Sequence, residues 1–157
     1  MRPIKIGAHL PSFSLPNQDG VIVSIDDIKR DRNLVIYFYP KDETIVCTRE
    51  ACAFRDDYSK FEAYNCVIVG ISVDSPASHK SFIKNHNLPF TLLSDEENEV
   101  RNLIGVPRDL LGLISGRYTY VINENGIIVH IINDHFSASK HINESLKALA
   151  HEQAINH

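Results

Sequence analysis

Leu34-Val-Ile-Tyr-Phe-Tyr-Pro40 is an unbroken β-favouring run closed by a proline, the pattern of a strand buried on both faces. From Cys47 onward, Ala51, Phe54, Tyr58 and Phe61 fall three or four positions apart, which is a helical stripe. Val67 to Val73 is a second apolar run of strand length. Strand, helix and strand with so long a crossover predict a parallel βαβ unit, right-handed like nearly all such units.

Further along, Ser75 and Pro76 read as the N-cap and first position of a helix running to about Asn85, with Asn87 and Pro89 to end it. A short strand near Phe90 to Leu93 and a short helix around Asn98 to Ile104 follow, then a loop at Gly112 to Gly116. Tyr118 to Ile122 and Ile127 to Ile132 flank Asn123-Glu-Asn-Gly126, whose Asn125-Gly126 pair signals a hairpin. The last helix, about Ser139 to Ala154, would bury Ile142, Leu146 and Leu149. A βαβ half followed by a ββα half around one mixed central sheet with flanking helices is an α/β, thioredoxin-like architecture. No repeat, low-complexity tract or linker divides the 157 residues, so one domain over 1–157 is expected.

The formal charge of −4, with acids and bases mixed, leaves no basic footprint for nucleic acid. Met1-Arg-Pro-Ile-Lys-Ile-Gly-Ala-His-Leu10 lacks the continuous apolar core of a secretory signal. The longest apolar stretch, Cys66 to Val73, includes Gly70 and Ser72 and is too short to span a bilayer. Neither nucleic acid nor membrane is expected as a partner, and the expected location is cytoplasmic.

Three cysteines, Cys47, Cys52 and Cys66, are too few and too odd in number for a disulfide-stapled secreted scaffold. In a reducing compartment they read as buried thiols, metal ligands or catalysts. Cys47 falls where a loop after a strand gives way to a helix, and the free N–H groups at such a point favour an anion, a thiolate included. Holding a thiol ionised at neutral pH takes roughly 3–4 kcal/mol of preferential stabilisation. A helix end supplies about 1–2 kcal/mol of that, so a nearby cation is called for. Cys47 also lies on the apolar stripe, four residues before Ala51, so a plain core role stays open on this reading. Thr44 upstream and Cys52 downstream weigh toward chemistry. The eight histidines are scattered; His79 and His86 could share a helical face, but no Cys-x-x-Cys accompanies them. No metal and no cofactor are expected.

Pro40, Thr44 and Cys47, in the pattern Pro-x-x-x-Thr-x-x-Cys, followed by Cys52 within Glu50-Ala-Cys-Ala-Phe-Arg55-Asp56, resemble the peroxiredoxins. The closest likeness is to their bacterioferritin-comigratory-protein/peroxiredoxin Q branch. Arg117-Tyr-Thr-Tyr-Val-Ile122 is similar to the family's strand that bears an active-site arginine. The resemblance implies a thiol-dependent peroxidase for hydrogen peroxide and organic hydroperoxides, recycled by thioredoxin or a similar dithiol, and a monomer. Cys47 would be the peroxidatic cysteine and Cys52 the intrachain resolving cysteine. Thr44 would hydrogen-bond thiolate and substrate, Pro40 would shield the site from water, and Arg117 would hold the thiolate ionised. Glu50, one turn after Cys47, would orient that arginine. Taken alone, Arg117 reads as a surface charge at a strand start. Ile45-Val46 stand where this branch often carries Pro-Gly, replacing a flexible joint with stiff β-branched residues.

If Cys47 and Cys52 share one regular helix, their Cα atoms lie about 8–9 Å apart, whereas a disulfide needs less than about 7 Å. The helix must then unwind locally before the two can bond. Arg55, Asp56 and Ser59 share the polar helical face of Cys52, which should leave it reachable. Cys66, just before a strand, is expected to be structural. Two other readings remain at this stage: a thiol–disulfide oxidoreductase, against which the four-residue spacer argues, and a redox-sensing or chaperone-like protein of the same fold.

Overall fold

The computed structural model describes residues 3–109, 114–115 and 117–156. The chain opens with an antiparallel pair, β1 (Ser14–Pro16) and β2 (Ile22–Ser24), and a short helix α1 (Ile25–Lys29) capped by Ser24 Oγ on the Asp26 N–H. Nothing in the sequence reading anticipated these three elements. Strands of three residues are too short for a two-residue period to show.

Next come β3 (Asn33–Phe38), α2 (Ile45–Asp56), α3 (Tyr58–Ala63) and β4 (Cys66–Ser72). The expected single helical stripe is thus two helices, parted at Asp57, although Phe54 and Phe61 still face one core. Then α4 (Pro76–His86) starts on the Ser75 cap, which accepts from the Ser78 N–H, and ends at Asn87 in the left-handed conformation (φ 52°). After β5 (Thr91–Ser94) and α5 (Glu99–Ile104), the two-residue strands β6 (Arg108–Asp109) and β7 (Ile114–Ser115) pair antiparallel. The loop expected at Gly112 to Gly116 therefore holds a strand at its 114–115 positions, while Gly112, Leu113 and Gly116 lie outside the described residues. Hairpin β8 (Tyr118–Ile122) and β9 (Ile128–Asn133) leads to α6 (Ala138–Asn156).

The main sheet has the order β5-β4-β3-β8-β9, with β3, β4 and β5 parallel and β8 antiparallel to both neighbours. This is the mixed, thioredoxin-like α/β sheet that the element order predicts. β3 is central and wholly buried, so its residues alternate between two cores. Val35 and Tyr37 pack with Cys47, Ala51, Phe54, Phe82, Ile142 and Leu149, beneath α2, α4 and α6. Leu34, Ile36 and Phe38 pack on the other face with Leu15, Ile25, Val100 and Ile104. Gly70 in β4 makes room for the first of these layers. A Cβ there would stand 2.7 Å from Leu92 Cδ2 and 2.8 Å from the Tyr37 ring.

Candidate active site

Thr44 is the extended N-cap of α2, and its carbonyl accepts from the Thr48 N–H at 2.8 Å. Cys47 therefore sits inside the first turn, where backbone N–H groups have no helical acceptor. Ile45 and Val46 belong to the helix ahead of it, and so replace a joint with helical backbone. Cys47 is 1% exposed.

The cation comes from the other half of the fold. Phe38, the last residue of β3, pairs with Tyr118, the first of β8. Arg117 consequently enters the sheet beside the loop that leads to α2. Its Nη2 donates to Cys47 Sγ at 2.9 Å, across 70 residues of chain. Far from being a surface charge, Arg117 is buried.

Glu50, one turn beyond Cys47, is 1% exposed. Its Oε1 lies 3.5 Å from Arg117 Nη1, close enough for charge to act but too far for a hydrogen bond. Burial raises the Glu50 carboxyl to about 8, against the opposing pull of Arg117. The shift favours the neutral form of Glu50, which leaves more of the guanidinium charge for the sulfur. On the far side of Glu50, His141 Nδ1 stands 3.5 Å from Oε2. His141 Nε2 lies 2.8 Å from the Asp134 carbonyl, which can only accept, so Nε2 carries the proton. Burial lowers the basicity of His141, so the neutral ring's Nδ1 accepts from Thr119 Oγ1 at 2.7 Å.

Thr44 is placed beside the site but not as expected. Its hydroxyl donates to the Lys41 carbonyl at 2.9 Å, so its proton goes to backbone and not to sulfur. Pro40 is half-buried in the same loop. Cys52 is half-buried and free, in the same continuous helix as Cys47. The structure thus brings Cys47, Arg117 and Glu50 together, sets Pro40 and Thr44 in the adjoining loop, and leaves Cys52 farther along α2.

Residues 6–131 match the AhpC/TSA family. The chain belongs to that family. It is 52% identical over 143 residues, 91% of its length, to the chloroplastic peroxiredoxin Q of Oryza sativa subsp. japonica, and spans 65% of that relative. Peroxiredoxin Q of Sedum lineare is 51% identical, with 91% of this chain and 76% of that one covered. The crystal structure of peroxidoxin BcpB from Mycobacterium tuberculosis superposes with a TM-score of 0.86 at 33% identity, covering 94% of this chain and 97% of that one. Bacterioferritin comigratory protein of Xanthomonas campestris, studied for its alkyl peroxide reduction activity, gives 0.81 at 25% identity, with 95% and 97% covered. The cytoplasmic expectation is overturned by the plant relatives, which are named chloroplastic.

In this AhpC/TSA chain the loop before α2 is held by residues that the sequence reading did not assign. The Asp42 carboxylate accepts from Tyr39 Oη (2.6 Å) and Ser78 Oγ (2.9 Å) and faces His79 Nδ1 at 2.7 Å. The Asp42 N–H donates to Asp74, and His79 Nε2 reaches the Leu93 carbonyl. Glu43, at φ 61°, accepts from Asn85 Nδ2 and pairs with His86 Nε2, both at 2.7 Å. These bonds hold a non-glycine residue in the left-handed region. The seven-residue spacing of His79 and His86 on one helix face was the available signal; their acidic partners were not. Asp42, Asp74 and His79 have atoms close enough to share a metal ion. Each of those atoms already has a hydrogen-bond partner, which accounts for the cluster as a lock on the loop. Among the described residues no helix is long and apolar enough to cross a membrane.

Proposed function

We propose that this chain is a thiol-dependent peroxidase acting as a single domain, with Cys47 as its nucleophile. The observation that carries the reading is the 2.9 Å approach of Arg117 to Cys47 Sγ. The Cys47 thiolate attacks the terminal oxygen of a hydroperoxide. An S–O bond forms, the O–O bond breaks, and the departing alkoxide or hydroxide takes a proton, leaving a sulfenic acid. Arg117 stabilises the charge that moves onto the breaking bond. Thr44, its own proton given to Lys41, offers a lone pair to the peroxide O–H, and Pro40 keeps water from the sulfur. Neutral Glu50 shapes the Arg117 pocket without cancelling its charge. Burial of Cys47 suits slender hydroperoxides, hydrogen peroxide and organic ones alike.

Cys52 then attacks the Cys47 sulfur, forming a disulfide and expelling water. Both cysteines occupy one intact α2, so the helix opens first. A dithiol protein such as thioredoxin reduces the disulfide, and the working unit is a monomer. The test is hydrogen peroxide consumption in the presence of thioredoxin, thioredoxin reductase and NADPH. Steady turnover supports the reading. A protein that reduces disulfides but leaves peroxide untouched would instead be a thiol–disulfide oxidoreductase.

A further inference from the structure

Helix α4 touches the reactive segment on both sides. Ahead of it, Ser78 and His79 hold Asp42, while Asn85 and His86 hold Glu43. Behind it, Arg55 in the last turn of α2 donates from Nη1 to the His86 carbonyl at 2.7 Å. One residue, His86, thus serves both ends: its ring grips Glu43 and its carbonyl grips Arg55.

We infer that α4 brackets the segment between Asp42 and Arg55, and that Arg55 is a positioning residue controlling how readily α2 opens for the Cys47–Cys52 bond. The inference rests on the resolving role proposed for Cys52.

The two grips differ in strength. On the near side Asp42 and His79 are buried, and the carboxylate has three partners. On the far side the polar attachment to α4 is one charge-assisted bond from a side chain 33% exposed, shared with the ion pair to Asp56 at 3.0 Å, beside the apolar packing of Ala51 and Phe54. Beyond it the helix already ends, at Asp57. Cys52 lies one turn before Arg55. Releasing Arg55 from α4 leaves the turn that carries Cys52 held by the packing of Ala51 and Phe54 without its polar tie, while Asp42 and Glu43 keep the Cys47 end against Arg117. The near grip governs attack on peroxide, and the far grip governs resolution.

Rapid-mixing measurement of sulfenate formation, followed by quenched mass spectrometry of the Cys47–Cys52 disulfide, separates the two steps. In Arg55→Ala, peroxide attack should keep its wild-type rate while the disulfide forms roughly fivefold faster, as expected for loss of one such partly exposed bond. Sulfinic acid at Cys47 should fall accordingly under excess peroxide. Arg55→Lys retains a donor and should lie between the two. Asp56→Asn, which removes only the exposed ion pair, should leave both rates unchanged. An unaltered resolution rate in Arg55→Ala would overturn the bracket. A slower one would also overturn it, because the Arg55 charge would then be assisting Cys52 instead of restraining the helix. Absence of any Cys47–Cys52 disulfide in the wild type would remove the resolving reading itself, a result distinct from equal rates in wild type and variant.

Discussion

Cys47 and Cys66 are the two buried cysteines, 1% and 5% exposed, and they differ in what surrounds the sulfur. Cys47 lies in the first turn of a helix and meets a guanidinium at 2.9 Å. Cys66 begins a central strand, and its thiol donates to the Val67 carbonyl at 3.5 Å. Burial pushes the Cys66 thiol up to about 12, with Arg32 and a backbone hydrogen bond offsetting only part of the effect. Burial by itself therefore quenches a cysteine. Cys47 differs in that the fold delivers a guanidinium within hydrogen-bond distance of its sulfur.

The sharpest way to break this contrast is to remove each sulfur in turn. Cys47→Ser should abolish peroxide reduction, whereas Cys66→Ser should leave it within about twofold, as for a substitution away from the site. Retained turnover in the Cys47 variant, measured by NADPH consumption in the thioredoxin-coupled assay, would end the assignment. Cys52→Ser should be nearly as severe for turnover yet leave the first step intact. One equivalent of peroxide should still consume the Cys47 thiolate, after which the protein drifts to sulfinic acid under excess oxidant. In the wild type, oxidation should instead raise amide exchange across residues 45 to 56, reversibly with dithiothreitol. A Cys47–Cys66 disulfide as main product would contradict both the local opening and the inertness of Cys66.

A smaller effect tests the charge itself. Arg117→Ala should slow peroxide attack by roughly 100-fold, the scale of losing one donor to a developing oxyanion, with partial recovery in Arg117→Lys. Unchanged stopped-flow rates would mean that another group supplies the charge. Smaller still is a pH effect on stability at Glu50. Its carboxyl rises on folding from 4.5 to about 8, so its stabilising contribution is complete below 4.5 and is lost as pH climbs through 8. Glu50→Gln cannot ionise, so it should gain on the wild type in Tm across that window and hold a constant lead above it. A constant difference at all pH values would show that folding leaves the Glu50 pKa unchanged.

The sequence carried the parallel strands, the hairpin and the capped α4 because each of these has a period or a breaker long enough to read. β3 and β8 were placed within a residue of their observed bounds. The small elements β1, β2 and α1 carried no such signal. Cys47, Thr44 and Cys52 were legible together because they lie in one short stretch. Arg117 was legible only through resemblance, since its nearness to Cys47 comes from the pairing of Phe38 with Tyr118. The hold of α4 on Asp42 and Glu43 was not legible, because each partner alone reads as an ordinary polar residue. The resemblance gives the Thr44 hydroxyl to the sulfur, whereas the turn at Lys41 supplies a backbone carbonyl that takes its proton.

The span of 70 residues between Cys47 and Arg117 has a consequence for the chain as it is made. Cys47 emerges from the ribosome well before the strand that follows Arg117, and until β8 seats against β3 the Arg117 guanidinium does not stand beside its sulfur. Contacts of such sequence separation form late, because the entropy of closing the loop precedes any reward. On the peroxidase reading proposed above, a nascent or half-folded chain therefore lacks the Arg117 charge at Cys47, and the capacity to trap peroxide waits on completion of the sheet. On that reading, reactivity toward a peroxide-mimicking electrophile reports finished folding, conferred by the later-made part of the chain on its first-made cysteine.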